Sequence, residues 1–399
     1  MSEPVLVVGG GLGGAATALA LGRKGIDVQL LEEASEFGVI GYGIQLGPNV
    51  FSMLDRLGVT DAVMASAIRP KNVKMIDSVD GGVIACVPTG DSFVKRFKRP
   101  YVVIHRVDLH QALLNACRAL GNVEMIANAS VTAFEDLGDR VRVDLADGRQ
   151  LYGSALIGAD GIRSTIRQQM RKEGPPRTIG YVAHRTIVPM DDVKFDVDRD
   201  DVVLWSGDGF HIVHYPLRNY TLFNVVTVFK TLNMDPTDTE SPHPDLAHVY
   251  RDSHPTMKNL WAMMDLSGRG WVSSDRDPIR PWSKGRVTLL GDAAHPTLQT
   301  LAQGACMAIE DSVCLGELLD GTSGNQIAEA FQRYERARYL RTARVQFESR
   351  YHWDNWYHVG GIEREVARAT WSVKGEQDMY DCLAWLYDGF KLPQKREAL

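Results

Sequence analysis

Apolar residues come first in short solid runs and later in alternation with polar ones, and this change predicts two kinds of sheet. Val5 to Val8 is an unbroken apolar run, which reads as a buried strand over residues 4–8. A glycine turn follows, then an alanine-rich stretch from Gly13 to Lys24 that reads as a helix closed by Gly25. Val28 to Leu31 reads as a second buried strand, completing a βαβ unit with parallel strands. Helical spacing returns around Val50 to Leu57, and from Arg106 to Leu120 through Leu109, Leu113, Leu114, Cys117 and Leu120. Arg140 to Leu145 alternates, turns at Asp147-Gly148 and resumes from Gln150 to Ile157, which predicts a hairpin.

From about 176 to 270 the runs shorten and alternate: Val202 to Trp205, His211 to Tyr215 and Leu222 to Phe229 read as strands of a mostly antiparallel sheet. Arg286 to Leu290 returns to a buried-strand pattern, and Gln303 to Leu319 to a helix. Everything from about 325 onward reads as helical. The predicted fold class is α/β: a Rossmann-like dinucleotide-binding domain over 1–175, rejoined by 271–340, with an antiparallel domain over 176–270. Residues 73–97 are candidates to join the second domain, and 341–399 form a helical C-terminal segment.

Composition narrows the function classes. A net charge of −6 and a pI near 6.0 leave no basic field for nucleic acid. The five cysteines (Cys86, Cys117, Cys306, Cys314 and Cys382) are scattered without a CxxC pair, which predicts buried thiols rather than disulfides or a metal site. No basic leader precedes Val5, and no run reaches the ~20 apolar residues of a membrane span, so a cytoplasmic protein off the membrane is expected.

Gly9-x-Gly11-x-x-Gly14 lies between the first strand and helix. Glycines there permit a tight turn, close approach of the backbone to a pyrophosphate, and packing of helix on strand. The phosphates would meet the free N–H groups at the helix N-terminus. Glu32, eighteen residues past Gly14, ends the second strand, where a carboxylate can accept ribose hydroxyls. Two more small-residue turns follow apolar strands: Gly158-Ala159-Asp160-Gly161, and Gly291-Asp292-Ala293-Ala294-His295.

These three ordered turns together resemble the single-component flavoprotein aromatic hydroxylases, the family of para-hydroxybenzoate hydroxylase. The resemblance spans nearly the whole chain and implies FAD as cofactor, NADH or NADPH as reductant, and O2 as co-substrate. It implies that Asp292 holds the ribityl chain and that Arg106 lies near the ribityl and pyrophosphate groups. Asp160 belongs to the segment linked with FAD and nicotinamide, and Gln45 to the loop in which the flavin ring moves. The helix opening at Gly304 and Ala305 would aim its positive end at the flavin pyrimidine. Two positions depart from the family pattern: Glu33 stands where an arginine is common, and Ala302 where a glycine is. The absence of a second GxGxxG argues for transient docking of the reductant. A monomer or homodimer is expected.

In a strand over 211–215, His211, Val213 and Tyr215 share one face and His214 the other. Roughly 13 Å separates His211 from Tyr215 along such a strand, enough to flank a benzene ring. His211 reads either as a base for a phenol or as an ordinary strand histidine satisfied by the backbone. Transfer of a proton from an unperturbed phenol to imidazole costs roughly 5 kcal/mol, so a site must lower the phenol pKa or pass the proton onward. The segments His211-x-x-x-Tyr215-Pro216-Leu217-Arg218 and Pro296-x-Leu298-Gln299 resemble the hydroxybenzoate branch of the family. That resemblance implies substrate contacts for His211, Tyr215 and Gln299 and a small aromatic acid as substrate. It implies 3-hydroxybenzoate first, hydroxylated para to its hydroxyl, with salicylate or a hydroxypyridine carboxylate as alternatives. A flavin reductase or oxidase without oxygen insertion is the rival activity. His184, Arg185 and His295 stay open between cofactor contact and packing, and Trp353, Trp356 and Tyr357 read as core or dimer-face aromatics.

Overall fold

The structure is a computed structural model that describes residues 3–38, 41–231, 252–266 and 270–393. The first βαβ unit folds as the periodicity predicts. Val5–Val8 lies between Val28–Leu31 and Ala155–Gly158, parallel to both. Val123–Ile126 extends the sheet on one side, and Val287–Leu289 with Ser283–Lys284 on the other. Solid apolar runs suit this sheet because helices cover its faces: Val5 to Val8, Leu30, Leu31 and Ala155 to Ile157 are all buried. The helix Leu12–Gly22 packs between Arg106–Arg118 and Gly304–Leu319. Close approach needs small residues, and the Thr17 and Ser312 hydroxyls meet there at 2.9 Å.

One expectation is corrected. The predicted hairpin arm to Ile157 is two strands: Gln150–Gly153 pairs with Val141–Leu145, and the chain then crosses to the parallel sheet at Ala155. Residues 155–158 are buried throughout, whereas Gln150 and Tyr152 are exposed, so burial distinguishes what continuity of pattern merges.

The second sheet has seven strands, ordered Trp271–Asp275, Arg177–Pro189, Leu222–Lys230, Phe210–Leu217, Val202–Gly207, Asn72–Asp77 and Val83–Pro88. All neighbours are antiparallel except Val202–Gly207 with Asn72–Asp77. Strands from 72–88 and 271–275 thus extend it beyond the 176–270 segment. One face, with Trp205, Ile212, Phe223 and Phe229, packs on the helix Pro255–Ala262. The other face looks toward the carboxyl ends of the parallel strands, where open α/β sheets bind ligands.

The C-terminal helix Gln326–His352 runs straight through the boundary expected at 341. It ends in a π-helical turn, Trp353–Tyr357, which is followed by the helices Gly361–Ser372 and Glu376–Tyr387. Cys117, Cys306 and Cys314 are buried as expected, Cys86 is half-buried, and Cys382 is exposed, against that expectation.

Candidate active site

A cavity of about 560 Å³ separates the seven-stranded sheet from the segment 292–305. Its floor is a row of cross-strand neighbours: Arg185 opposite Val226, Val226 opposite Val213, and Val213 opposite Leu204. His211 and Tyr215 flank Val213 on the same face, as strand alternation requires. His214 faces away, its Nε2 accepting from Trp205 Nε1 at 3.1 Å. The neighbours His184 and Arg185 divide in the same way. His184 stacks on Phe229 behind the sheet, and Arg185 enters the cavity.

Arg185 is held over the rings of Trp271 and Tyr42, at 5.3 and 6.0 Å, and donates from Nη2 to Gln299 Oε1 at 3.3 Å. Among the described residues no carboxylate pairs with it. Burial pulls its pKa down from the ordinary arginine value, yet a guanidinium stays charged. Tyr215 reaches the opposite wall because Gly43 has no side chain: a Cβ there would lie 2.3 Å from Tyr215 Cε2. The Gly43 amide donates to Asn224 Oδ1 at 2.9 Å, tying that loop to the sheet. Burial raises the Tyr215 phenol well above its usual pKa, so it stays protonated.

His211 is 1% exposed. Its Nδ1 lies 2.7 Å from His358 Nε2, while its own Nε2 has no partner among the described residues. Burial, then His358, pushes its pKa well below the usual histidine value, so it is neutral. Tyr357, read from sequence as packing or a dimer face, in fact lines the cavity and donates to the Thr300 carbonyl at 2.7 Å. That contact fixes the short turn Gln299–Leu301. No spacing signal pointed to Tyr357 or His358, since the turn that carries them lies almost 150 residues from the sheet they join.

On the other wall stand Gln45, Arg106, Asp292, Gly304 and Ala305. Arg106 and Asp292 make no side-chain hydrogen bond to other described residues; burial raises the Asp292 pKa, opposed by His295 and then by Arg106. Burial lowers the Arg106 pKa first, Asp292 opposing. Asp292 is placed by a buried network: Asp311 accepts from Gly291 N at 3.2 Å, approaches His295 Nε2 at 2.6 Å and pairs with Arg338 Nε at 2.6 Å. His295 is therefore a strut behind the loop. Gly9, Gly11, Gly14, Glu32 and Asp160 lie outside the cavity lining, around the first turn. A Cβ on Gly14 would sit 1.8 Å from Gly9 O, whereas one on Gly11 would meet nothing within 4 Å. Glu32 accepts from the Gly10 and Ala34 amides at 2.7 and 2.9 Å. Asp160 Oδ2 accepts from Ile166 N at 3.2 Å, and its Oδ1 is buried without a partner.

These features fit FAD: open space in front of Gly11 at a helix N-terminus, and unsatisfied Arg106 and Asp292 along the path to the cavity. A profile of the FAD binding domain family matches residues 2–348. The chain belongs to the FAD-dependent aromatic-ring hydroxylases. It is 41% identical to the 3-hydroxybenzoate 6-hydroxylase of Polaromonas naphthalenivorans (strain CJ2), over 96% of this chain and 95% of that one. The Klebsiella oxytoca protein of the same name is 40% identical, covering 98% of each. A 6-hydroxynicotinate 3-monooxygenase from Pseudomonas fluorescens is 35% identical over 86% of this chain and 90% of its own length. Among solved structures, Klebsiella pneumoniae HpxO with FAD and uric acid superposes with a TM-score of 0.84 at 25% identity, covering 96% and 97% of the two chains. This aromatic hydroxylase thus uses FAD, and no helix among its described residues is long and apolar enough to cross a membrane.

Proposed function

We propose that this hydroxylase converts 3-hydroxybenzoate to 2,5-dihydroxybenzoate, with a reduced nicotinamide and O2 as co-substrates. The observation that carries the reading is the pairing, across one sheet face, of a neutral base with a bare Nε2 (His211) and a half-buried cation without a counter-charge among the described residues (Arg185). Their Cα atoms lie about 12 Å apart by sheet spacing, leaving room between side-chain tips for one substituted ring. An isolated buried charge is costly, and a substrate carboxylate removes that cost while fixing which way the ring points. The full-length similarity to 3-hydroxybenzoate 6-hydroxylases supports the meta placement of the two groups.

When bound, FAD supplies the oxygen-activating redox chemistry, held by Asp292, Arg106 and the glycine turn with Glu32. The chain's own groups do the rest. His211 Nε2 accepts the phenol proton and so directs electron density to the carbon para to the hydroxyl. Tyr215 and Gln299 orient the ring from two sides, and Val213, Val226 and Leu204 exclude water beneath it. The test is a screen of the three monohydroxybenzoates and 6-hydroxynicotinate for stimulated NADH and NADPH oxidation, with products identified by NMR. 3-Hydroxybenzoate should give 2,5-dihydroxybenzoate. Preferential hydroxylation of 2-hydroxybenzoate or of the pyridine acid would replace this reading with a relative's.

A further inference from the structure

The hydrogen-bond chain behind His211 specifies more than its position. His358 Nδ1 lies 3.0 Å from the carbonyl oxygen of Trp353. A carbonyl can only accept, so His358 carries its proton on Nδ1, and its Nε2 is a lone pair when the ring is neutral. The 2.7 Å contact with His211 Nδ1 then requires that His211 donate from Nδ1. His211 is thereby left with a lone pair on Nε2, the atom without a protein partner. In the opposite tautomer His211 would present an N–H to the substrate and two ring lone pairs would collide behind it.

We propose that His358 is a positioning and proton-accepting residue: it fixes the basic tautomer of His211 and takes the proton that His211 would otherwise have to keep. This rests on the functional reading above only for the source of the proton. The phenol O–H proton passes to His211 Nε2 and the Nδ1 proton moves to His358 Nε2. His211 is neutral again, and the positive charge sits on His358, whose Nδ1–H still donates to Trp353 O. Reprotonation of the product reverses both transfers, so no net proton is consumed. His211 is buried, whereas His358 is partly exposed, so the relay moves charge from the dry cavity toward water. Packed around the pair are Tyr181, Tyr357 and Trp353, with Asp208 and Asp354 acting on Tyr181 from the outer side and Tyr215 and Arg185 across the cavity. Burial lowers His358 to about 4, opposed by its hydrogen bond to Trp353 O, while His211 is pushed well below the usual histidine value; the partly exposed His358 is the side of the pair nearer water.

The relay is tested on the FAD-loaded enzyme with His358→Gln, whose amide oxygen can accept from His211 Nδ1 but cannot be protonated there. The variant should retain FAD and bind 3-hydroxybenzoate within about twofold of the parent, while kcat falls about 10-fold or more. The bound ligand should show about a tenfold loss of phenolate absorbance at neutral pH relative to the parent complex. Unchanged kcat and phenolate absorbance would reduce His358 to packing. Independently of any variant, ¹⁵N spectra of the ligand-free parent should show His211 as the Nδ1–H tautomer. Finding Nε2–H overturns the proposal even if the substrate is right, and a parent inert toward 3-hydroxybenzoate overturns the substrate while leaving the tautomer measurable.

Discussion

A guanidinium among aromatic rings needs a counter-charge, and Arg185 finds none in the described chain. Replacing it by methionine keeps much of the volume but removes the charge. Arg185→Met should raise KM for 3-hydroxybenzoate roughly 10- to 100-fold, the effect of losing one charged hydrogen-bonded contact, about 1.5–3 kcal/mol. Steady-state kinetics check this, and an unchanged KM would mean that the carboxylate is held elsewhere. Asp292 differs in kind, because the partner proposed for it is the cofactor. Asp292→Ala should purify largely free of flavin, and a variant with full flavin absorbance would contradict that role. Both residues were open to sequence reasoning to different degrees. Asp292 sits in a turn whose motif announces it, whereas Arg185 and His184 are adjacent residues with interchangeable chemistry until strand register gives each a face. His211 and Tyr215 were legible because a strand alternates with a period of two. His358 was not, because what brings it to His211 is a turn whose geometry has no sequence signature.

That turn is a lesson at the scale of elements. Helix Gln326–His352 would carry its next residues past the sheet if it continued as an α-helix, and the wider winding of Trp353–Tyr357 turns Tyr357 and His358 inward. The Ser206 hydroxyl donates to the carbonyls of Trp356 and Tyr357, at 2.9 and 3.1 Å, pinning the turn to the strand Val202–Gly207. The segment ahead of helix Gly304–Leu319 shows a different local device. Ala302 takes a left-handed conformation, φ +52°, just before the helix begins. A Cβ is disfavoured there by about 1–2 kcal/mol, which explains why glycine is common at this place in the family pattern. Ala302→Gly should therefore raise stability by about 1 kcal/mol, less the added entropy of the unfolded chain. Thermal unfolding of the FAD-free protein measures this, and a lower midpoint would show that the Ala302 methyl packs more than it strains. Strand and helix existence was readable from apolar spacing, while the crossing at Ser154 was not, since strands of two sheets can follow one another without a break in pattern.

At the scale of the whole molecule, cofactor side and C-terminal helix are joined by buried charges. Arg338 is fully buried and binds Glu310 Oε2 at 2.5 Å and Asp311 Oδ1 at 2.6 Å, and Arg341 adds two contacts to Glu310. Burial alone would raise both carboxyls, but the surrounding cations outweigh it and hold them below the ordinary carboxylate range. A carboxyl depressed in the folded state stabilises the protein above its unfolded pKa of about 4, and that stability is lost as pH falls through the folded value. Unfolding with release of flavin is therefore expected below about pH 4, followed by far-UV circular dichroism and flavin fluorescence. Asp311→Asn should flatten that acid limb and lower stability at pH 7. Arg338→Met should cost about 3–5 kcal/mol at neutral pH, because Asp311 would be left buried without a guanidinium and Glu310 with Arg341 alone. Denaturant titration decides, and a loss under 1 kcal/mol would mean that solvent reaches the pair.

Because the Trp353–Tyr357 turn supplies one wall of the cavity, the order of synthesis matters. Chain emerging from the ribosome can complete the glycine turn, both sheets and the Asp292 loop before His358 has been made. A half-finished copy would expose any bound reduced cofactor to bulk water, with no protected recess for the ring. On the proposed reading, the recess for the ring closes only once the segment around residue 358 has been added, well after both sheets are in place.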